Sequence, residues 1–518
     1  MFQKKVSETL KVTLLSLTLV IFSLWFQGNI GIDLADEGFL WYGTIQTASG
    51  AVPIRDFQSY DPGRYYLTAF WSILLGEGII SLRISLGIFQ FIGLTLGLLA
   101  LRGVIRSWWI LAIAGFLLLV WMIPRHKIFE SSLAMAGVYF AFCLIKEPSF
   151  KQHFISGIFV GIAAFLGRNH GLYNFLAFFL LILLIWFKLD RTHFVNRIGS
   201  CIAGVLLGFL PMLIMLLIVP GFFDSFIEIF MTQLHKKYTN FPLPIPWPWK
   251  YDYSRMNLLQ SARAFSEGSF FLLLPFFYIF TTINILWSKR DHLQQKALLI
   301  ATTFVGVMYM HYSFSRADLP HLAQGIHPFL IGLLAFPFSF NFNHKKILNT
   351  GLLLLLLAAT FFSAGMASPY YRKASAPSEA FIKYDITGDY IWINKEIANL
   401  IDTIKQINFQ IVPQHEGFLI APHWPTFYPI LQRESPLWDI YLLFPENKAR
   451  QKEMIEELKV KEVNWVILCD VALDGRDDLR FCNTHKLLWQ HFRWQFETVK
   501  VQGLSHNYIL LHRKSKGK

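Results

Sequence analysis

Apolar runs of membrane length recur through the first two thirds of the chain and then stop. A spanning helix needs about 20 mainly apolar residues, because the hydrocarbon core is about 30 Å thick. Runs at residues 10–30, 80–101, 107–124, 128–145, 153–168, 170–187, 198–219, 269–288, 296–313, 325–340 and 346–365 predict about eleven transmembrane helices. The first follows Lys4, Lys5 and Lys11 and meets no small-x-small cleavage site before Asp33, so it reads as an uncleaved helix. The stretch Arg64 to Gly76 is short, Tyr-rich at its start and closed by Gly, which places it in the interface. Pro242 to Tyr251 alternates proline with apolar residues and cannot be helical, since each proline fixes φ and removes a donor. Its Trp247 and Trp249 suit the headgroup level.

From about Pro369 onward charged residues become frequent and no apolar run reaches membrane length. Ile391 to Ile407 predicts an amphipathic helix, Gly417 to Ala421 a strand, Lys448 to Leu458 a charged helix and Val463 to Cys469 a buried strand. Trp494 to His512 predicts two strands around Gly503. Helices alternating with strands indicate a small α/β layer structure. No Gly-rich phosphate loop opens any of these helices, so no nucleotide site is expected. The fold class that follows is a mainly α-helical polytopic membrane protein with a C-terminal α/β domain. Residues 1–366 form its transmembrane domain, with a first outer loop at 32–79, and residues 367–518 its soluble domain.

Composition agrees: 54% of the 518 residues are hydrophobic and only 16% charged, with 50 Phe and 16 Trp, so lipid is the solvent this chain needs. Charge then orients it. With eleven spans and the N-terminus inside, the inner connections carry Lys4, Lys5 and Lys11, Arg102 and Arg106, Lys146 and Lys151, Lys188, Arg191 and Arg197, Lys289, Arg290 and Lys296, and Lys345 and Lys346. The first loop, Pro220 to Gly268 and everything after about Ala367 then share the non-cytoplasmic side. A net charge of +13 spread this way serves orientation against anionic lipid and argues against nucleic acid as a partner. Of four cysteines, Cys143 and Cys201 lie in apolar runs, and none shows zinc or redox spacing. Cys469 and Cys482, in an oxidising compartment, are expected to be able to bridge.

Chemistry concentrates in two places. Between Asp33 and Asp61 the first loop holds five carboxylates, Asp33, Asp36, Glu37, Asp56 and Asp61, in a chain otherwise poor in acids. Acids beside hydrocarbon must be paired, bind metal or have raised pKa values, and the last is what a catalytic base requires. The plainer reading is that Asp33 or Asp36 caps a helix over Gly38 to Thr47. The second place is a set of cations opposing the inside bias: Arg125, His126 and Lys127, then Arg168 and His170, then Arg316 and His321 around Asp318. Arg and Lys at an outer membrane boundary suit a lipid phosphate. The plainer reading is snorkelling, or pairing with acids such as Asp318.

These features resemble the GT-C superfamily of membrane glycosyltransferases, the group holding protein O-mannosyltransferases and lipid A aminoarabinose transferases. The likeness lies in a first helix followed by a loop with Asp36-Glu37, the element Tyr60-Asp61-Pro62, an interfacial helix, many spans and a terminal α/β domain. It implies that Asp36 stands at the reaction centre with Glu37 and Asp61, and that Arg64, Arg125, Lys127, Arg168, His170, Arg316, Asp318 and His321 contact substrate or its phosphate. The acid of the Tyr-acid-Pro element is Glu in the aminoarabinose transferases and the shorter Asp61 here. The resemblance implies a polyprenyl-phosphate-linked sugar as donor, a glycan, lipid or protein acceptor, and a multi-pass location in a bacterial inner membrane with the site outside. The cations are expected to meet the first loop around one cavity. Metal use stays open, with Mg or Mn as the ion and Asp36, Asp56 and Asp61 as candidate ligands. The competing classes are a transporter, whose acids usually lie near the midplane on interrupted helices within repeats, and a noncatalytic glycan-assembly subunit.

Overall fold

The computed structural model describes residues 2–236, 240–339, 345–505 and 507–515. Phe340, at the end of one expected span, and the side chains of Lys4, Lys5, Lys345 and Lys346 lie outside that description. The chain divides into two compact units, Met1–Gly28 with Arg83–Ser375, and Asn29–Leu82 with Ala376–Lys518.

The first unit is helical. Together with Ile79–Arg102, in which the division falls, it carries the long apolar helices Val6–Gln27, Arg125–Lys146, Arg168–Lys188, Leu258–Trp287 and Ala297–Ser315. Trp108–Val120 and Phe150–Leu166 are shorter apolar helices. Three further runs are bent pairs: Phe194–Gly208 with Leu210–Ile218 at 55°, Leu319–Gly325 with His327–Ser339 at 57°, and Thr350–Gly365 with Pro369–Ser375 at 75°. Pro211, Pro328 and Pro369 stand at the starts of the second helices, where a missing N–H and the ring's clash with the preceding turn break continuity. Every run expected to span is thus helical among the described residues; the bend at Phe209 falls inside the run 198–219, whereas the other two fall at the start of 325–340 and beyond the end of 346–365.

The expectation of a loop from Pro220 to Gly268 needs correction. Phe222–Lys236 is a helix, and the helix assigned to residues 269–288 begins at Leu258. Its first turns carry Gln260, Arg263 and Glu267, which hide it from a hydropathy reading. Asn257 and Gln260 form a capping box, and Arg263 pairs with Glu267 at 2.7 Å. Close packing elsewhere follows from small residues. A Cβ on Gly157 or Gly161 would stand 2.1 Å from the Cys201 carbonyl or 2.3 Å from that of Val205, and one on Gly204 2.1 Å from that of Phe154. The paired small-xxx-small stripes Gly157/Gly161 and Gly204/Gly208 let these two backbones touch, as helices in lipid require.

Among the described residues the second unit holds six strands. β1 (Phe381–Ile386) and β2 (Asp389–Asn394) form an antiparallel hairpin. β3 (Gly417–Ala421), β4 (Val463–Cys469), β5 (Phe496–Val499) and β6 (Tyr508–Arg513) form a sheet in the order β3-β4-β6-β5, with β3 and β4 parallel and the other pairs antiparallel. Its core gathers Leu419, Val466, Leu468, Met454, Leu488, Phe492 and Leu511. β3 and β4 match the expected strands residue for residue. Ile391 to Ile393, expected in a helix, belong instead to β2, because Tyr390-Ile-Trp-Ile-Asn394 alternates with period two and buries Ile391 and Ile393. The helix starts at Lys395, where the Asn394 side chain accepts the Glu396 N–H at 2.8 Å. Cys469 and Cys482 are separate thiols rather than a bridge.

Residues 29–82 belong to this same unit. Gly31 donates to the Trp392 carbonyl and Trp392 to that of Asn29, both at 2.7 Å, so the start of the loop extends β2. Trp438 Nε1 donates to the Ile54 carbonyl at 3.1 Å, and Gln58 N–H to that of Trp438 at 2.9 Å. The C-terminal segment thereby satisfies backbone groups that a loop alone would leave unmet. Gly38 is required here, since a Cβ would lie 1.8 Å from Thr426 Oγ1.

Candidate active site

In the second unit the acids of the first loop have distinct environments. Asp33 Oδ1 accepts the N–H groups of Ala35 at 2.9 Å and Asp36 at 3.1 Å, at the start of the helix Asp36–Ala48. Glu37, 2% exposed, returns the favour through Oε2, which accepts the Asp33 N–H at 3.3 Å. Asp33 thus takes the first helical N–H, that of Asp36, from outside the N-cap position, which Ala35 occupies, and Glu37 ties the Asp33 backbone back to the helix. Asp36 is turned elsewhere: its Oδ1 receives the Tyr441 hydroxyl at 3.1 Å. Burial pushes the Tyr441 hydroxyl well above its ordinary pKa, and the Asp36 charge adds to that, so Tyr441 is a donor at all physiological pH. His423 lies on the same side, its ring centroid 6.4 Å from that of Tyr441. Burial lowers its pKa from 6.5, and Asp36 offsets part of the fall.

Asp61 immediately precedes the helix Pro62–Leu75 and is 8% exposed. Pro62 at the first helical position needs no N–H partner. Arg64, 3% exposed, holds its guanidinium 4.8 Å from the centre of the Tyr60 ring. Asp56 has another employment. Its oxygens accept Arg55 Nε at 2.7 Å and Nη2 at 2.9 Å, and Oδ2 also accepts the Val52 N–H at 2.7 Å. It closes a tight turn, and its carboxyl is held below the usual range by Arg55.

In the first unit Arg316, Asp318 and His321 meet as one group. Asp318 Oδ2 takes Arg316 Nε at 2.7 Å, and Oδ1 contacts His321 Nδ1 at 2.6 Å while accepting the His321 N–H at 2.9 Å. Asp318 thereby caps the helix Leu319–Gly325 and orients both basic side chains. Arg316 Nη1 also donates to the Phe241 carbonyl at 3.3 Å. His170, fully buried, contacts the hydroxyls of Tyr309 at 3.0 Å and Tyr312 at 3.3 Å, with Glu130 Oε1 3.9 Å from its Nε2. Arg168 stacks over Phe226 at 5.6 Å. Arg125 donates to the Gln27 carbonyl at 2.9 Å, within a short helical turn that also holds Lys127.

Comparison places the architecture. No protein-family model matches the chain, and no curated protein matches it by sequence. Among solved structures, ArnT from Cupriavidus metallidurans matches over 98% of both chains, with a TM-score of 0.50 and 15% identity when bound to undecaprenyl phosphate, and 0.53 and 12% in the apo state. The oligosaccharyltransferase AglB from Archaeoglobus fulgidus, in complex with an inhibitory peptide and a dolichol-phosphate, matches at a TM-score of 0.47 and 12% identity over 98% of this chain and 75% of that one. The chain shares the ArnT fold.

On this fold two residues beside Asp36 escaped the sequence reading, Tyr441 and His423. Both lie in the C-terminal part, more than 380 positions from Asp36. A signal for His423 was present: Ala421-Pro422-His423-Trp424-Pro425 directly follows the carboxyl end of β3, which is paired in parallel with β4. Loops beyond the carboxyl ends of parallel strands are where ligands bind in open α/β sheets. Tyr441 carried no such signal.

Proposed function

We propose that the chain transfers a sugar from a polyprenyl-phosphate donor to an extracytoplasmic acceptor, with Asp36 as the base. The observation that supports this most is the division of labour between adjacent acids on a GT-C fold. Asp33 and Glu37 serve the helix start, while Asp36, three residues from Asp33, addresses a tyrosine hydroxyl instead. In the transfer the acceptor oxygen bonds to the anomeric carbon, the bond from that carbon to the phosphate oxygen breaks, and the acceptor proton passes to the Asp36 carboxylate. Polyprenyl phosphate leaves with the bonding electrons, and its charge is met by basic residues. Tyr441 orients Asp36, Asp61 and Glu37 support the loop that carries it, and Arg64, Arg125, Lys127, Arg168, His170, Arg316, Asp318 and His321 form the donor-side complement. Asp318 acts there by fixing the direction of Arg316 and His321.

A divalent ion, Mg or Mn, would be held by hard carboxylate oxygens around Asp36, where an Asp33 oxygen lies within 4.8 Å of one of Asp36, with Asp61 as the further candidate, and would supply positive charge to the leaving phosphate. Asp56, committed to Arg55 and the Val52 N–H, does not fit that set. The first loop and the C-terminal domain face the non-cytoplasmic side, in keeping with the basic inner connections; in a bacterium that is the periplasmic side of the inner membrane.

The test uses purified protein in nanodiscs with a panel of radiolabelled polyprenyl-phosphate sugars and an envelope extract as acceptor. Acceptor-dependent release of polyprenyl phosphate is the expected result. Donor binding without release for any sugar would leave a noncatalytic assembly subunit in its place.

A further inference from the structure

A broad cavity of about 770 Å³, open to the surface, lies in the second unit between the β1–β2 hairpin, the end of the helix Lys395–Gln406 and the segment 430–432. It falls within the ~300–1,000 Å³ typical of small-molecule sites. None of the residues singled out by the sequence reading lines it. Its floor is apolar, from Ile430 and Leu431, and its rim is polar, from Asp385, Lys405, Gln414 and Gln432. Phe409 stands on the edge with 70% of its surface exposed.

Three backbone irregularities meet at this cavity. The helix ending at Gln406 runs into a π-helical turn, Ile407–Ile411, which carries Phe409. Single π turns are rare and concentrate at functional sites. Thr387 (φ 51°) and Gln432 (φ 53°) both occupy the left-handed region. Thr387 with Gly388 (φ 93°) makes the two-residue turn of the β1–β2 hairpin, and Gln432 is the left-handed cap that ends the helix Phe427–Leu431, so both conformations have a local cause and fix the walls in place. The walls are also pre-organised. Arg433 donates to Asn408 Oδ1 within the π turn, to the Glu416 carbonyl at 2.8 Å and to the Pro413 carbonyl at 3.1 Å. One guanidinium thus ties the Phe409 wall to the Gln432 wall.

The lining defines its ligand by chemistry. One acid, Asp385, and one base, Lys405, balance each other, so the cavity has no net charge with which to select a phosphate. An exposed aromatic face beside two amides, a carboxylate and an ammonium matches a molecule with an apolar C–H face and many hydroxyls. We infer that this cavity binds a neutral oligosaccharide. That the oligosaccharide is the acceptor, or the part of it already assembled, rests on the transferase reading; that it binds does not.

The experiment is saturation-transfer difference NMR on the full chain in nanodiscs without donor. Tetrasaccharides of glucose, mannose and N-acetylglucosamine serve as probes, with a neutral tetrapeptide and glycerol phosphate as comparators. At least one tetrasaccharide is expected to bind. Phe409→Ala should weaken it by about tenfold, the scale of one aromatic contact, and Phe409→Tyr should restore it. Since Phe409 is an exposed side chain, its loss leaves the fold intact, which circular dichroism checks. Asp36→Asn should bind the probe as well as the unaltered chain does. Binding unchanged by Phe409→Ala, no tetrasaccharide bound, or preference for the peptide or glycerol phosphate would each overturn the inference. Probe binding in a chain that transfers no sugar would sink the transferase reading alone.

Discussion

The two units spend their charged residues differently. In the helical unit, basic side chains at helix ends are held by an acid close in sequence and by backbone carbonyls 75 and 98 positions away: Arg316 by Asp318 and the Phe241 carbonyl, His321 by Asp318, Arg125 by the Gln27 carbonyl. In the second unit, the loop acids divide. Asp33, Glu37 and Asp56 are engaged by near neighbours, whereas Asp36 meets Tyr441 from 405 positions away. Local pairing is what a structural role requires, because a cap or a turn must satisfy groups only a few residues apart. A long-range partner instead fixes a carboxylate against something other than its own helix. The comparison therefore marks Asp36 as the loop acid suited to chemistry, and Asp33, whose charge also acts on Tyr441, as the acid to test against it.

The largest expected effect comes from breaking that contrast. Asp36→Asn should lower transfer by about 100-fold to 10,000-fold, the typical contribution of a positioned base, while Asp33→Asn should transfer at nearly the unaltered rate because Asn caps as well as Asp. Equal losses from both, measured by polyprenyl phosphate release, would erase the distinction. A second test concerns the cations. Arg316→Lys keeps the charge but loses the planar fork that Asp318 orients, so affinity for polyprenyl phosphate should fall by about tenfold. Titration of nanodisc-bound protein by native mass spectrometry would read it, and an unchanged affinity would reduce Arg316 to a local ion pair.

Smaller in size is the stability effect of the cap. Asp33→Ala should destabilise the helix start by about 1 kcal/mol, read as a lower unfolding midpoint with transfer retained. The smallest effect sharpens the contrast from the other side. His423 in the folded chain should titrate below 6.5, since burial disfavours its charged form and Asp36 offsets only part of that. Asp36→Asn removes the favourable charge, so the midpoint should move lower still. Because the unfolded chain takes up this proton first, His423 makes stability rise with pH from its folded midpoint up to about 6.5. NMR of ¹³C-labelled histidine follows the midpoint; an upward move in the variant would deny that Asp36 and His423 interact.

Much of the fold was legible in the chain. Apolar runs place helices because lipid tolerates few other structures, and β3 and β4 stand on short buried runs, one opened by Gly417 and the other closed by Cys469. The helix from Leu258 was missed in its first half, where polar residues interrupt the hydropathy, and β2 was taken for helix because Ile391, Ile393 and the residues after them fit both periods over so short a window. Of the candidate site, the chain disclosed that acids cluster in the first loop and cations at helix ends. It also disclosed that either Asp33 or Asp36 could cap, since both types and spacings permit it. Only the tertiary structure decided between them, and only it brought Tyr441, His423, Trp438 and Thr426 onto the first loop and built the cavity edged by Phe409. The reason is physical: composition and periodicity report which solvent a segment prefers and what its near neighbours can satisfy, whereas the partner of a side chain hundreds of positions away is set by how the sheet and helices pack, which no local pattern encodes.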